Sequence, residues 1–167
     1  MSRQMSRAKA LGNLENPWVY GSYLPNLKSN HAVTGEEITT HSMWLWDVEQ
    51  PSGLTPGTIV SIDPETLGQC TGLTDKNGTL IFEGDVVKVF CDNVLGTFTS
   101  VVEWDNGFGV RIPNSELDDS LAYLDKIGET VTVIDNRWDN PEMMVYSLWP
   151  TYNKQSVNPT PCTGNTT

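Results

Sequence analysis

Glu83 and Asp85 flank Gly84, and two carboxylates at that spacing could hold a divalent cation or work as an acid/base pair if their side chains converged. No third ligand follows at a suitable distance, and carboxylates in a tight turn ordinarily accept bonds from backbone amides, so the pair reads as structural. His31 and His41 are the only histidines. They lack the i, i+4 spacing that sets two imidazoles on one helix face for zinc, and they read as surface or hydrogen-bonded side chains. Cys70, Cys91 and Cys162 contain no Cys-x-x-Cys pair and leave an odd count, which argues against a disulfide framework and for a reducing compartment. Cys70 falls within a strand pattern and Cys91 ends one. Neither has a histidine beside it in sequence, so both read as small apolar residues and not as nucleophiles. Glu36-Glu37 and Asp118-Asp119 read as solvated faces. Gly-x-Ser-x-Gly, phosphate-loop and dinucleotide patterns are absent from the sequence. The expectation is a protein that is not an enzyme, with no catalytic, cofactor-binding or metal-binding residues and no cofactor.

Binding chemistry has a better candidate in the aromatics. Trp44 and Trp46 alternate against Met43, Leu45 and Asp47, and Trp18 and Tyr20 alternate against Val19. Rings in a small sheet ordinarily form its core. Four large rings in so thin a layer, however, point to some of them packing against another subunit, because aromatics are enriched at interface cores. The expected partner is a second copy of the chain, held through the N-terminal β layer, with another protein as the further possibility.

The elements that must position these residues centre on Gln69 to Cys91. Asn77-Gly78 signals a type I′ hairpin turn, with positive φ at both residues, that pairs Cys70–Leu73 with Thr79–Phe82. A reversal at Glu83-Gly84-Asp85 leads into Val86–Cys91, where Val87, Val89 and Cys91 share a face and Lys88 marks the other. Upstream, Arg7 to Lys9 begins an edge strand, and Trp18 to Leu24 reads as a strand bounded by Pro17 and Pro25. Asn26 to Glu37 reads as a polar loop, Ile38 to Val48 as a strand, Gln50 to Gly57 as a connector and Thr58 to Ile62 as a short strand. Downstream, Thr97 to Trp104 and Phe108 to Ile112 form a hairpin about Asn106-Gly107. Leu117, Leu121 and Leu124 predict a short helix over Ser115 to Leu124, and Thr130 to Ile134 predicts the last strand.

Gln69-Cys70-Thr71-Gly72-Leu73, Asp75-Lys76-Asn77-Gly78 and Ile81-Phe82-Glu83-Gly84-Asp85-Val86-Val87 together resemble the signature of the YopX family, small proteins encoded mainly by bacteriophages and prophages. Arg7-Ala8-Lys9, Trp18 to Gly21, Ile62 to Thr66, Val133 to Asp135 and Asp139 to Glu142 resemble flanking features of the same family. The resemblance departs at Cys70, where an aromatic is usual, and at Val145 to Thr167, past the usual end. It implies a phage or prophage origin. The strand pattern predicts a mainly β chain with little helix: an N-terminal segment 1–16, partly mobile; a small β subdomain 17–65; a YopX-like, SH3-like barrel 66–144, because closing a set of short strands removes exposed edges; and an extension 145–167, largely disordered.

Charge narrows the function further. The first ten residues carry three bases and no acid, so from Leu11 onward seven bases face twenty-one acids, a formal charge of −14. Such a body repels phosphate backbones. The N-terminus lacks the apolar run of a secretory signal, and no stretch approaches the ~20 apolar residues of a membrane span, so a cytoplasmic protein of the bacterial host without membrane contact is expected. The leading expectation is a non-enzymatic phage accessory protein acting through protein–protein contacts. The alternatives are a nucleic-acid-associated protein in phage DNA metabolism, or an acidic DNA mimic that inhibits a host enzyme. On the charge argument, neither duplex nor single-stranded DNA shifts the protein in a fluorescence anisotropy titration at physiological salt; micromolar binding that weakens steeply with added salt would contradict it.

Overall fold

Alternating apolar and polar residues resolve into ten strands, with one short α-helix and a 3-10 turn at Pro141–Met144, among the residues that the computed structural model describes, 5–30, 33–91, 96–112, 121–127 and 130–144. The chain is mainly β and divides into two units, residues 1–70 and 71–167. No helix among the described residues is long and apolar enough to cross a membrane.

The first unit is built from β1 (Ser6–Ala10), β2 (Trp18–Asn30), β3 (Glu37–Leu45) and most of β4 (Ile59–Thr74). All neighbours are antiparallel, and β1 pairs on both sides: Ala8 lies opposite Val19 of β2, and Ala10 opposite Ile62 of β4. The four strands therefore form a closed circuit of pairings, and β1 is not the edge strand expected at Arg7 to Lys9. Ala8, Ala10, Val19, Met43, Leu45 and Ile62 fill its interior. Room there is short. A Cβ on Gly21, opposite Leu45, would run into the Trp44 carbonyl and the Met43 side chain. Burying each of the larger interior side chains contributes about 1.5–3 kcal/mol.

Two sequence breakers act as bulges. β2 continues through Pro25 and Asn26 to Asn30, and its register on β3 shifts between Leu24 and Leu27 with Asn26 at φ 51°. A proline without an N–H is tolerated where the ladder is already interrupted, so the expected 26–37 loop is in large part a long hairpin. β4 likewise runs through Asp63-Pro64-Glu65, where the sequence reading placed a strand end and a subdomain boundary. Buried Thr66 holds this irregularity together: its hydroxyl donates to the Asp63 carbonyl (2.8 Å) and accepts from the Lys9 amide (2.8 Å).

In the second unit the end of β4 pairs with β5 (Leu80–Phe82), and β6 (Asp85–Cys91), β7 (Gly96–Trp104), β8 (Phe108–Arg111), β9 (Leu121–Tyr123) and β10 (Val131–Asn136) form a sheet ordered β10-β6-β7-β8-β9. Ile81, Val87, Val89, Phe98, Val102, Val110 and Val131 make its core with Leu124 and Ile127 of helix α1 (Leu124–Ile127). Leu121–Tyr123 is a strand where the leucine spacing predicts the end of a helix, because its backbone pairs with Gly109–Arg111; only the next four residues are helical. The rest of that predicted helix, residues 115–120, lies outside the described residues, as does the extension 145–167.

The hairpin of the signature stretch also differs from its sequence reading. Gly78 takes positive φ (84°), but Asn77 does not. The buried carboxylate of Asp75 accounts for this: Oδ1 accepts the amides of Asn77 (2.8 Å) and Thr79 (2.9 Å), and an Asx turn of this kind keeps the chain right-handed until Gly78. Its Oδ2 accepts the Val133 amide of β10 (3.1 Å) and the Asn77 side-chain amide (3.4 Å), so one carboxylate ties the turn to a strand 58 residues away. Burial alone would raise its pKa, but bonds from the Thr79, Val133 and Asn77 amides and the Asn77 side chain outweigh it and hold the group below its ordinary 3.8. A group depressed in the folded state contributes stability that is full above its unfolded value and is lost as pH falls through the folded one. Asp75→Asn would turn an –NH2 toward two donors, costing about 1–3 kcal/mol at neutral pH. In urea titrations the gap between wild type and Asp75→Asn should stay constant from about pH 5 to 7 and narrow below about pH 4; a gap that persists in acid would remove the carboxylate from this role.

Candidate interaction face

Strand parity in the first unit decides where the aromatics go. With Val19, Gly21, Met43 and Leu45 turned inward, Trp18, Tyr20, Ser22, Trp44 and Trp46 take the opposite face of β2 and β3. This is the alternation expected from the sequence. Trp44 is 40% exposed and lies between Ser22 and Ile59 on the neighbouring strands, and Ile59 is 56% exposed. Trp46 is half-buried, and its indole N–H donates to Ser22 Oγ at 2.8 Å. Trp18 shares the parity yet is buried, with the Arg7 guanidinium 5.0 Å and the Lys9 ammonium 5.4 Å from its ring centre. The outward set is therefore graded, with Trp18 covered by cations, Trp46 half-buried and Trp44 exposed.

The chain leaving β3 turns this face into a groove of about 620 Å³ lined by Trp44, Trp46, Asp47, Val48, Pro56 and Gly57. Gln50, buried, holds its rim. The side-chain oxygen accepts the Tyr20 amide (2.8 Å), and the side-chain nitrogen donates to the carbonyls of Tyr20 (3.0 Å) and Trp46 (3.1 Å). The Gly57 amide donates to the Leu45 carbonyl (2.9 Å) and closes the other end. Composition marked residues 50–57 as a connector, and nothing in composition distinguishes a glutamine that locks a loop from one that is solvated. Pro56 and Gly57 entered the groove unannounced for the same reason.

The polar candidates fall elsewhere. Asp85 is buried and accepts the Phe82 amide at 2.7 Å, which is the capping role read for the Glu83/Asp85 pair; Glu83 is half-buried beside it in sequence. Among the described residues no group of three or more His, Cys, Asp or Glu could hold a metal ion. His41 meets the Tyr23 hydroxyl through Nδ1 at 2.5 Å, with the two rings stacked. Glu37 pairs with Lys28 at 2.8 Å on an exposed edge, and Glu36 accepts the Thr34 hydroxyl. Cys70 is buried. Cys91 ends β6, while its side chain, and His31, Asp118, Asp119 and Cys162, lie outside the described residues.

A two-unit, all-antiparallel β protein with an aromatic groove and a signature hairpin is the class that fold and site define. The chain belongs to the YopX protein family, which it matches over residues 15–145. No curated relative matches it. Among solved structures it is similar to protein EF1440 from Enterococcus faecalis, with 22% identity and a TM-score of 0.35 over 74% of this chain and 99% of that one.

If Gln50 holds the rim as its bonds indicate, Gln50→Ala removes the acceptor of the Tyr20 amide and a donor to each of the Tyr20 and Trp46 carbonyls, and costs about 1–3 kcal/mol. Tryptophan emission should shift to the red with far-UV circular dichroism unchanged. Unaltered emission and an unaltered urea midpoint would show that the loop holds without Gln50.

Proposed function

We propose that this protein is a non-enzymatic accessory protein of phage or prophage origin, working in the bacterial cytoplasm through protein–protein contacts made by the Trp44–Trp46 face. The observation that carries the reading is the exposure of Trp44 beside Ile59 at the mouth of a groove whose rim is held by a buried side chain. Contiguous apolar surface of that kind marks interaction sites more than it serves a monomer. The resemblance of the signature stretch to a family encoded mainly by bacteriophages and prophages supports the phage context. The strand order β10-β6-β7-β8-β9, with a helical turn before the last strand, supports an SH3-like arrangement in the second unit.

A photo-cross-linking side chain placed at position 44 in the host cell gives discrete adducts, whereas the same group at exposed Glu36 gives none. Failure to cross-link at 44 would overturn the reading. Two-fold self-contact, the commonest oligomeric arrangement, is the alternative way to cover the exposed Trp44–Ile59 pair. In light scattering the wild type then has a mass above one chain and Trp46→Ala has less. A monomeric wild type at high concentration removes self-association and leaves a different protein as the partner.

A further inference from the structure

The rim of the groove is acidic, and the sequence around it holds no counter-charge. Asp47 lines the groove, and exposed Glu49 follows directly after its last lining residue on that side, Val48. From Ser29 to Asp75 the sequence has seven acids, Glu36, Glu37, Asp47, Glu49, Asp63, Glu65 and Asp75, and not one lysine or arginine. Neither Asp47 nor Glu49 forms an ion pair among the described residues; Lys28 pairs with Glu37 at the far end of the β2–β3 hairpin. The apolar part sits beside these acids: Trp44, Trp46, Val48 and Pro56 offer ring faces and aliphatic surface next to the Asp47 carboxylate.

That combination selects a ligand. An apolar side chain is drawn out of water onto the rings and the proline. A guanidinium or ammonium next to it meets the Asp47 and Glu49 carboxylates and can lie over an indole face, where a cation is attracted by the ring quadrupole. A two-fold self-contact through the same groove would instead set these acids against their own copies, which is a repulsive arrangement. Nucleic acid is disfavoured by the same charge.

We infer that the groove takes a short segment of a second protein that presents a large apolar side chain beside a lysine or arginine. This inference rests on the protein-contact reading above and adds to it the chemistry of the partner.

Selection of a random peptide library on the full-length protein tests it. Enriched peptides carry lysine or arginine adjacent to an aromatic or leucine. In nuclear magnetic resonance spectra they displace the indole N–H signals of Trp44 and Trp46, assigned with Trp→Phe variants, and leave that of buried Trp18 in place. The double variant Asp47→Asn, Glu49→Gln changes only exposed side chains and weakens an enriched peptide by about three- to tenfold, with a reduced dependence on salt. Enriched peptides that are neutral or acidic, binding that leaves both indoles unmoved, equal affinity for the double variant, or no enrichment at all would each overturn the inference. The first and third of these leave the protein-contact reading standing, since the groove is still occupied. No enrichment together with no adduct from position 44 defeats both.

Discussion

The double pairing of β1 sets the terms for the first unit. A strand hydrogen-bonded to β2 on one side and β4 on the other closes four strands into a circuit, and a circuit that small has little interior. Its inward positions are accordingly filled by Ala8, Ala10 and Val19 along β1 and β2, with Gly21 where even one methyl would collide with the Trp44 carbonyl. Only Met43, Leu45 and Ile62 are large among the interior residues. Once the inside is full, strand parity leaves the tryptophans no place but the outside. The aromatic face follows from the size of the core.

Closure also explains why the breakers in the sequence do not break the strands. A closed circuit must bend, and bulges concentrate twist and bend at single sites. Asn26 at positive φ and the Asp63–Thr66 irregularity serve that purpose, with the Thr66 hydroxyl satisfying the Lys9 amide that the shifted ladder leaves over. In the second unit Asp75 performs a comparable service: its two oxygens collect four N–H donors from the turn, the returning strand and β10, so that neither the hairpin nor the outer side of β10 carries an idle donor there. Its charge is an advantage because every partner is a donor, and a carboxylate accepting several amides is stabilised in its ionised form.

Charge and apolar surface act at different ranges on the outward face. In the proposed contact, the acids that run without a base from Ser29 to Asp75 bias which partners approach, and the rings and Pro56 decide which stay. Trp18 shows the internal version of the same pairing, with Arg7 and Lys9 against its ring.

What the sequence by itself determined is local. Period-two alternation specified which residues of β2, β3 and β6 share a face, Gly78 marked a turn that needs positive φ, and the ordered run from Gln69 to Val87 was sufficient to identify the family. These are properties of neighbouring residues, and pattern reports them directly. The tertiary structure decided everything that depends on a distant partner. Pairing across some fifty residues makes β1 interior to a circuit and Pro64 part of a bulge, while pairing across shorter spans makes Pro25 a bulge residue and draws Leu121–Tyr123 out of a helical pattern and onto Gly109–Arg111. The same holds for the site: Trp44 and Trp46 were legible from their spacing, but the groove needed Gln50 to bridge Tyr20 and Trp46, and a hydrogen bond spanning thirty residues leaves no trace in composition or period.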